Sequence, residues 1–201
     1  MLVKVCGITE QHQLEELDNM NGINFIGNIF YPSSKRFAKN SLSATKNAEK
    51  VGVFVNETVT TIIETCRNNS IKIVQLHGNE SPSFCEQLSF HVKVIKAIAM
   101  DETTDFESLK AYESVVDFFL LDTKTDDYGG SGQKFDWNIL SRYQLTTPFL
   151  LSGGISSNDV ELLKSIAHPK FIGIDINSCF EIRPGIKNSE LIKQFIHELN
   201  T

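Results

Sequence analysis

The sequence predicts a single-domain (β/α)8 barrel, or TIM barrel, over residues 1–201. Three observations predict it. Short apolar runs recur eight times along the chain, amphipathic stretches lie between them, and the run ends are evenly spaced. Those ends, at Cys6, Phe30, Val55, Gln75, Ala97, Asp122, Ser152 and Asp175, stand 24, 25, 20, 22, 25, 30 and 23 residues apart. Such an interval suits a strand, a loop, a helix and a return loop. Apolar strands alternating with helices indicate a parallel sheet buried on both faces. Eight units in one chain favour a closed barrel over an open doubly wound sheet. At 201 residues the chain is near the lower limit of about 200 for that fold. No second domain is expected.

In order, the predicted strands are Leu2–Cys6, Phe25–Phe30, Val51–Val55, Ile73–Leu76, Val92–Ala97, Phe118–Leu121, Pro148–Leu151 and Phe171–Ile176. A helical stretch is expected after each. Ser81-Pro82 reads as an N-cap followed by proline at the first helical position. In the seventh helical stretch Val160, Leu162, Leu163 and Ile166 share one face. In the last, Leu191, Ile192, Phe195, Ile196 and Leu199 do so behind a cap at Asn188.

Composition removes several functional classes. With 19 basic and 25 acidic residues the net charge is −6, which argues against a nucleic-acid binder and against adhesion to anionic membranes. No apolar run approaches the roughly 18 residues of a spanning helix. The start, Met1-Leu2-Val3-Lys4-Val5, lacks the features of a signal peptide, so a cytoplasmic protein is expected. The four cysteines, Cys6, Cys66, Cys85 and Cys179, form no CxxC pair and have no histidine at zinc-ligand spacing. Neither a metal centre nor a disulfide framework is expected. Cysteine is by default a small buried hydrophobe.

In such barrels the site lies at the C-terminal ends of the strands. Reactive residues collect there. Cys6, at the end of the first strand, can act as base or nucleophile if its thiolate forms. Asp122 leaves the very apolar run Phe118–Leu121, where partial loss of hydration suits a carboxylic acid to proton donation; a turn cap is its other reading. Strands one and six stand well apart around the mouth, so a small substrate fits between base and acid. Arg36, with Lys35 and Lys39 nearby, has the fork geometry for a planar carboxylate, unless it is a solvated loop charge. His77 and Asp175 are further strand-end candidates for contacting a substrate. Gly153 and Gly154 after strand seven, and Asn177 and Ser178 after strand eight, fall where barrels bind phosphate; Gly130 and Gly132 after strand six add amides. His12, His91, His168 and His197 read as surface residues.

These residues resemble a known family. Val3-Lys4-Val5-Cys6-Gly7-Ile8-Thr9, Val51-Gly52-Val53-Phe54-Val55-Asn56 and Val74-Gln75-Leu76-His77-Gly78 are similar to motifs of the phosphoribosylanthranilate isomerases of tryptophan biosynthesis. The most specific block is Leu121-Asp122-Thr123-Lys124 with Tyr128-Gly129-Gly130-Ser131-Gly132 and Phe135-Asp136-Trp137. Leu151-Ser152-Gly153-Gly154 and Pro184-Gly185-Ile186-Lys187 complete the set, which runs in order from residue 3 to residue 187. The resemblance implies a barrel and an isomerase without cofactor. It implies Cys6 as general base, Asp122 as general acid, Arg36 on the anthranilate carboxylate and the Gly- and Ser-rich strand ends on the phosphate. The implied partner is a small phosphosugar, the chain being monomer or homodimer.

Three positions depart from the family pattern. Asn28 stands where an aromatic or apolar residue is usual, Lys35 where a proline commonly precedes the arginine, and Cys179 where glycine is usual. If the backbone at 179 is left-handed, cysteine there carries a conformational cost. Two other readings remain. A sugar-phosphate isomerase of the histidine-biosynthesis kind is associated with aspartates ending strands one and five, where this chain has Cys6 and Ala97. A non-catalytic sugar-phosphate binder needs neither Cys6 nor Asp122.

Overall fold

The computed structural model describes residues 1–124 and 134–201. Eight parallel strands close into a barrel in sequence order: β1 (Leu2–Cys6), β2 (Phe25–Ile29), β3 (Glu49–Phe54), β4 (Ile73–Leu76), β5 (Lys93–Met100), β6 (Phe118–Thr123), β7 (Phe149–Leu151) and β8 (Phe171–Ile176). Closure is made by β1 on β8, with Leu2 beside Gly173 and Lys4 beside Asp175. A hairpin of β9 (Glu181–Arg183) and β10 (Ile186–Lys187) follows the barrel.

Alternation along each strand divides the residues. Phe25, Val51, Ile73, Ile95, Ala97, Leu120 and Leu150 form one cluster that fills the barrel interior. Their neighbours in sequence, such as Val74, Val94, Phe119 and Leu121, pack outward under the helices. Above the apolar interior the same inward parity brings Cys6, Gln75, Asp122 and Asp175 to the C-terminal mouth. The polar mouth therefore sits above an apolar interior.

The helices are fewer than the repeat suggests. Those among the described residues are α1 (Gln11–Asp18), α2 (Val59–Asn68), α3 (Pro82–Ser89), α4 (Val160–Lys164) and α5 (Ser189–Asn200). Ser81 and Asn188 cap α3 and α5 by accepting from the Phe84 and Leu191 amides. The second unit has no helix. Residues 30–48 form a loop pinned by a bridge from Ile29 to Phe37. Pro32, Ser33, Ser34, Asn40, Ser41 and Ser43 explain this, because their side chains favour turns over helix interiors. The fifth and sixth units carry 3-10 turns, Phe106–Tyr112 and Trp137–Arg142, capped by Asp105 and Asp136. Leu162 is exposed rather than on the buried face of α4. Strand β6 runs two residues beyond the apolar run because Asp122 and Thr123 still pair with Ala99 and Met100 of β5. His168 is half-buried against Tyr143 and Phe149 and bonds to the Tyr143 carbonyl, which corrects its surface assignment.

Buried charges tie the loops to the barrel. Lys96 donates to the carbonyls of Leu76, Gly78 and Ala97 and to Glu80 Oε2 at 3.0 Å. Glu80 in turn accepts from the amides of Asn56 and Gly78, fastening the loops after β3 and β4. Asp18, at the end of α1, accepts from the amides of Lys46, Asn47 and Ala48. Burial alone raises the pKa of Asp18, but these backbone bonds outweigh it and hold the carboxyl below its ordinary value.

A carboxylate with a depressed folded pKa stabilises the protein above its unfolded pKa of about 3.9, and that stability is lost as pH falls through the lower folded value. Asp18→Asn is expected to cost about 1–3 kcal/mol near neutrality, since its amide group cannot accept all three bonds. The difference from the native chain is expected to shrink in acid. Urea denaturation at neutral and acid pH checks this; equal midpoints at neutral pH would contradict it.

Candidate active site

The C-terminal strand ends surround one cavity that opens to solvent. Every described candidate from the sequence lines it: Cys6, Arg36, His77, Asp122, Gly153, Gly154, Asp175, Asn177 and Ser178. Gly130 and Gly132 lie outside the described residues.

Cys6 is buried at the end of β1, with its sulfur against Gly27 of β2. Burial, with the Asp175 carboxylate, holds the thiol pKa above its ordinary value, and the ammonium groups of Lys4 and Lys187 oppose this without overcoming it. Lys4 is fully buried and pairs with Asp175 Oδ1 at 3.0 Å. Burial lowers its pKa, but Asp175 and Cys6 beside it outweigh that, and the ammonium stays charged. Asp175, expected to touch a ligand, is therefore first the counter-ion of Lys4.

Asp122 faces the cavity from β6, three strands round the barrel from β1. Its Oδ1 takes the amide of Thr123 at 2.9 Å. Its Oδ2 lies 3.2 Å from His77 Nε2. His77 Nδ1 is 2.8 Å from Gln75 Nε2, so with the amide donating, the ring presents an Nε2–H to the carboxylate. The side chain of Asp122 is 24% exposed, less desolvated than the apolar run before it suggests.

Arg36 is not a solvated loop charge. Its Nε lies 2.9 Å from Glu181 Oε1 and its Nη2 2.7 Å from Glu181 Oε2, a fork-to-carboxylate pair. That leaves the Nη1 side of the guanidinium for a ligand. Lys35 and Lys39 are exposed and do not line the cavity. Glu181 also accepts from Lys187 Nζ and from the Gly185 amide. Burial raises its pKa, but these donors outweigh it and keep it ionised. Lys187 further reaches Asn177 Oδ1 at 2.6 Å, so the hairpin fixes the start of the loop after β8.

The loop after β7 turns through two left-handed residues, Gly153 at φ +89° and Gly154 at φ +65°. A methyl on Gly153 would sit 2.1 Å from Thr123 Oγ1, so only glycine fits. Such turns present backbone N–H groups to anions. Cys179 sits in the 3-10 turn Ser178–Phe180, and its Sγ lies 3.7 Å from the Gly154 carbonyl. It is not among the left-handed residues, so the conformational cost considered for it does not arise. Asn28 is buried and holds the loop after β1 by donating to the Ile8 carbonyl. Lys4, Glu181 and Gln75 were not singled out from the sequence. Lys4 carried a signal: it shares the inward parity of Cys6 within an apolar run.

A family model for N-(5'phosphoribosyl)anthranilate (PRA) isomerase matches residues 3–198. The N-(5'-phosphoribosyl)anthranilate isomerase of Parabacteroides distasonis is 44% identical, with 99% of this chain and 93% of that protein covered. Two solved structures are similar over 100% of this chain and 98% of theirs. One, of monomers made from the dimeric phosphoribosylanthranilate isomerase of Thermotoga maritima, has a TM-score of 0.85 at 31% identity. The other, a phosphoribosylanthranilate isomerase in complex with reduced 1-(o-carboxyphenylamino)-1-deoxyribulose 5-phosphate, has a TM-score of 0.84 at 29% identity.

Gly153→Ala must hold an L side chain at positive φ and displace Thr123. It is expected to lower stability by about 1–3 kcal/mol. A urea midpoint unchanged from the native chain would show that the turn is not constrained in this way.

Proposed function

The chain belongs to the N-(5'-phosphoribosyl)anthranilate isomerase family, and from that premise we propose how its barrel mouth performs the reaction. It is an isomerase of tryptophan biosynthesis, acting on N-(5'-phosphoribosyl)anthranilate to give 1-(2-carboxyphenylamino)-1-deoxyribulose 5-phosphate. The observation that supports the mechanism is one cavity with Cys6 and Asp122 on different sides and anion-binding groups at its ends.

Asp122, protonated and steered by His77, gives its proton to the ribose ring oxygen. The ring opens as the anthranilate nitrogen forms an iminium with the anomeric carbon, so that the electrons of the broken C–O bond stay on the protonated oxygen. Cys6 as thiolate takes the proton from the adjacent carbon. The enolamine that forms tautomerises to the ketone. Hydrogen moves only within the substrate and between it and these two side chains, which is an aldose–ketose rearrangement, an intramolecular oxidoreduction that calls on no cofactor. Arg36, held by Glu181, takes the anthranilate carboxylate on its Nη1 side. The turns at Gly153, Gly154, Asn177 and Ser178 take the phosphate, with Gly130 and Gly132 as further contributors. Asp175 orients the base through Lys4 and borders the ribose. No helix among the described residues is long and apolar enough to cross a membrane, and we read the protein as cytoplasmic, a monomer or a homodimer.

General acids and bases of this kind contribute about 10²–10⁴-fold. Cys6→Ala and Asp122→Asn are each expected to lower kcat at least about 10²-fold, followed as loss of anthranilate fluorescence on mixing with substrate. Near-native turnover in either variant would remove that residue from its role. Arg36→Met is expected to raise KM for the same substrate, since a charge-assisted pair contributes about 1.5–3 kcal/mol. An unchanged KM and kcat would reject its place on the carboxylate.

A further inference from the structure

The Cys6 thiol, buried in an apolar strand, resists ionisation, yet removing a proton from carbon needs the thiolate. The structure holds a remedy one inward position below it. Lys4 and Cys6 share a face of β1, and both reach toward Gly27 on the neighbouring strand. The point where a methyl on Gly27 would sit is 2.8 Å from Cys6 Sγ and 3.2 Å from Lys4 Nζ. The sulfur and the ammonium are therefore no more than about 6 Å apart across a space that only glycine leaves open.

We propose that Lys4 is a positioning residue for the base: its buried ammonium, anchored by Asp175, faces Cys6 across Gly27 and favours the thiolate over the thiol when the base is called on. The proposal rests on Cys6 being the base and adds the group that makes it one. Opposite charges at about 4–6 Å favour the ionised form, and the apolar barrel floor leaves little water to screen them. The surrounding charges leave room for it. Three cations, Lys4, Lys187 and Arg36, stand against two carboxylates, Asp175 and Glu181, so the cluster gains balance when the thiolate forms. Lys187 faces the sulfur from β10 and Asp175 from β8, while Asp122 and His77 face Asp175 in turn. Asp175 acts in two directions: it fixes Lys4, and its own negative charge opposes the thiolate.

The test titrates Cys6 directly in the full chain. Iodoacetamide labelling is followed across the neutral and alkaline range, and the Cys6 peptide is quantified by mass spectrometry. In Lys4→Met the labelling midpoint is expected to rise by about 1–3 pH units, and the acid limb of kcat/KM to rise with it. In Asp175→Asn the midpoint is expected to fall, because one negative charge beside the sulfur is gone. Shifts of opposite sign are the signature, since loosened packing moves both variants the same way. A midpoint unmoved in folded Lys4→Met overturns the proposal. If Lys4→Met does not fold, Lys4→Gln decides alone: a rise of the midpoint supports the proposal and no rise overturns it. Failure of the base assignment reads differently, as full turnover in Cys6→Ala, and leaves the labelling shifts intact.

Discussion

The Lys4–Asp175 pair closes the barrel and charges its mouth at once. It joins β1 to β8 at the register where the first and last strands meet. An ion pair in the interior is a weak source of net stability, because desolvating two charges offsets most of their attraction. Its consequence is geometric: both partners must stay together, or a lone charge remains in an apolar barrel. Any slip of β8 against β1 separates them. Closure register and placement of the Cys6 surroundings are therefore one constraint.

The same logic repeats outward. Lys187 is buried and satisfied by Glu181 and Asn177, and Glu181 is satisfied by Lys187, Arg36 and the Gly185 amide. Gln13 on α1 locks Lys187 from behind, accepting its amide and donating to its carbonyl. The arginine of the β2 loop is thus aimed by a hairpin 145 residues away, itself braced on the first helix. On the far side, Lys96 and Glu80 brace the loops carrying His77 and Asn56. Held groups of this kind keep a constellation in place without reorganisation, as acid–base chemistry requires.

Much of this was legible in the sequence. The eight strands could be read because a parallel sheet buried on both faces produces continuous apolar runs, and the strand-end rule then gathered nine residues that line one cavity. The missing helix after β2 was written in Pro32 and its serines, but the regular repeat overrode that local signal. Other features were not legible in local sequence at all. Nothing near Arg36 announces Glu181, because barrel closure and the hairpin create that pair. His168 looked polar and free, and only the ring packing of Tyr143 and Phe149 places it. Lys4 was hidden by its context, since a lysine within Val3-Lys4-Val5 reads as an interruption until strand parity puts it beneath Cys6.

The net charge of −6 then takes on a different meaning. A substrate with two anionic groups gains nothing from the global field of an acidic protein, and exposed charges farther away than about 10 Å are screened at ordinary salt. Attraction has to be local, and the mouth supplies it in two chemically distinct forms. On the β1–β2–β8 side stand buried cations in excess of their carboxylates, suited to a thiolate and to a carboxylate ligand. At the end of β7 stands a left-handed glycine turn, with Asn177 and Ser178 beside it at the end of β8, which offers amide dipoles without full charge. An aromatic carboxylate carries its charge in one plane and matches a guanidinium edge. A phosphate spreads its charge over several oxygens and matches a cup of N–H groups. On the proposed roles, separating the two kinds of anion site by chemistry sets which end of a substrate bearing both lies at each.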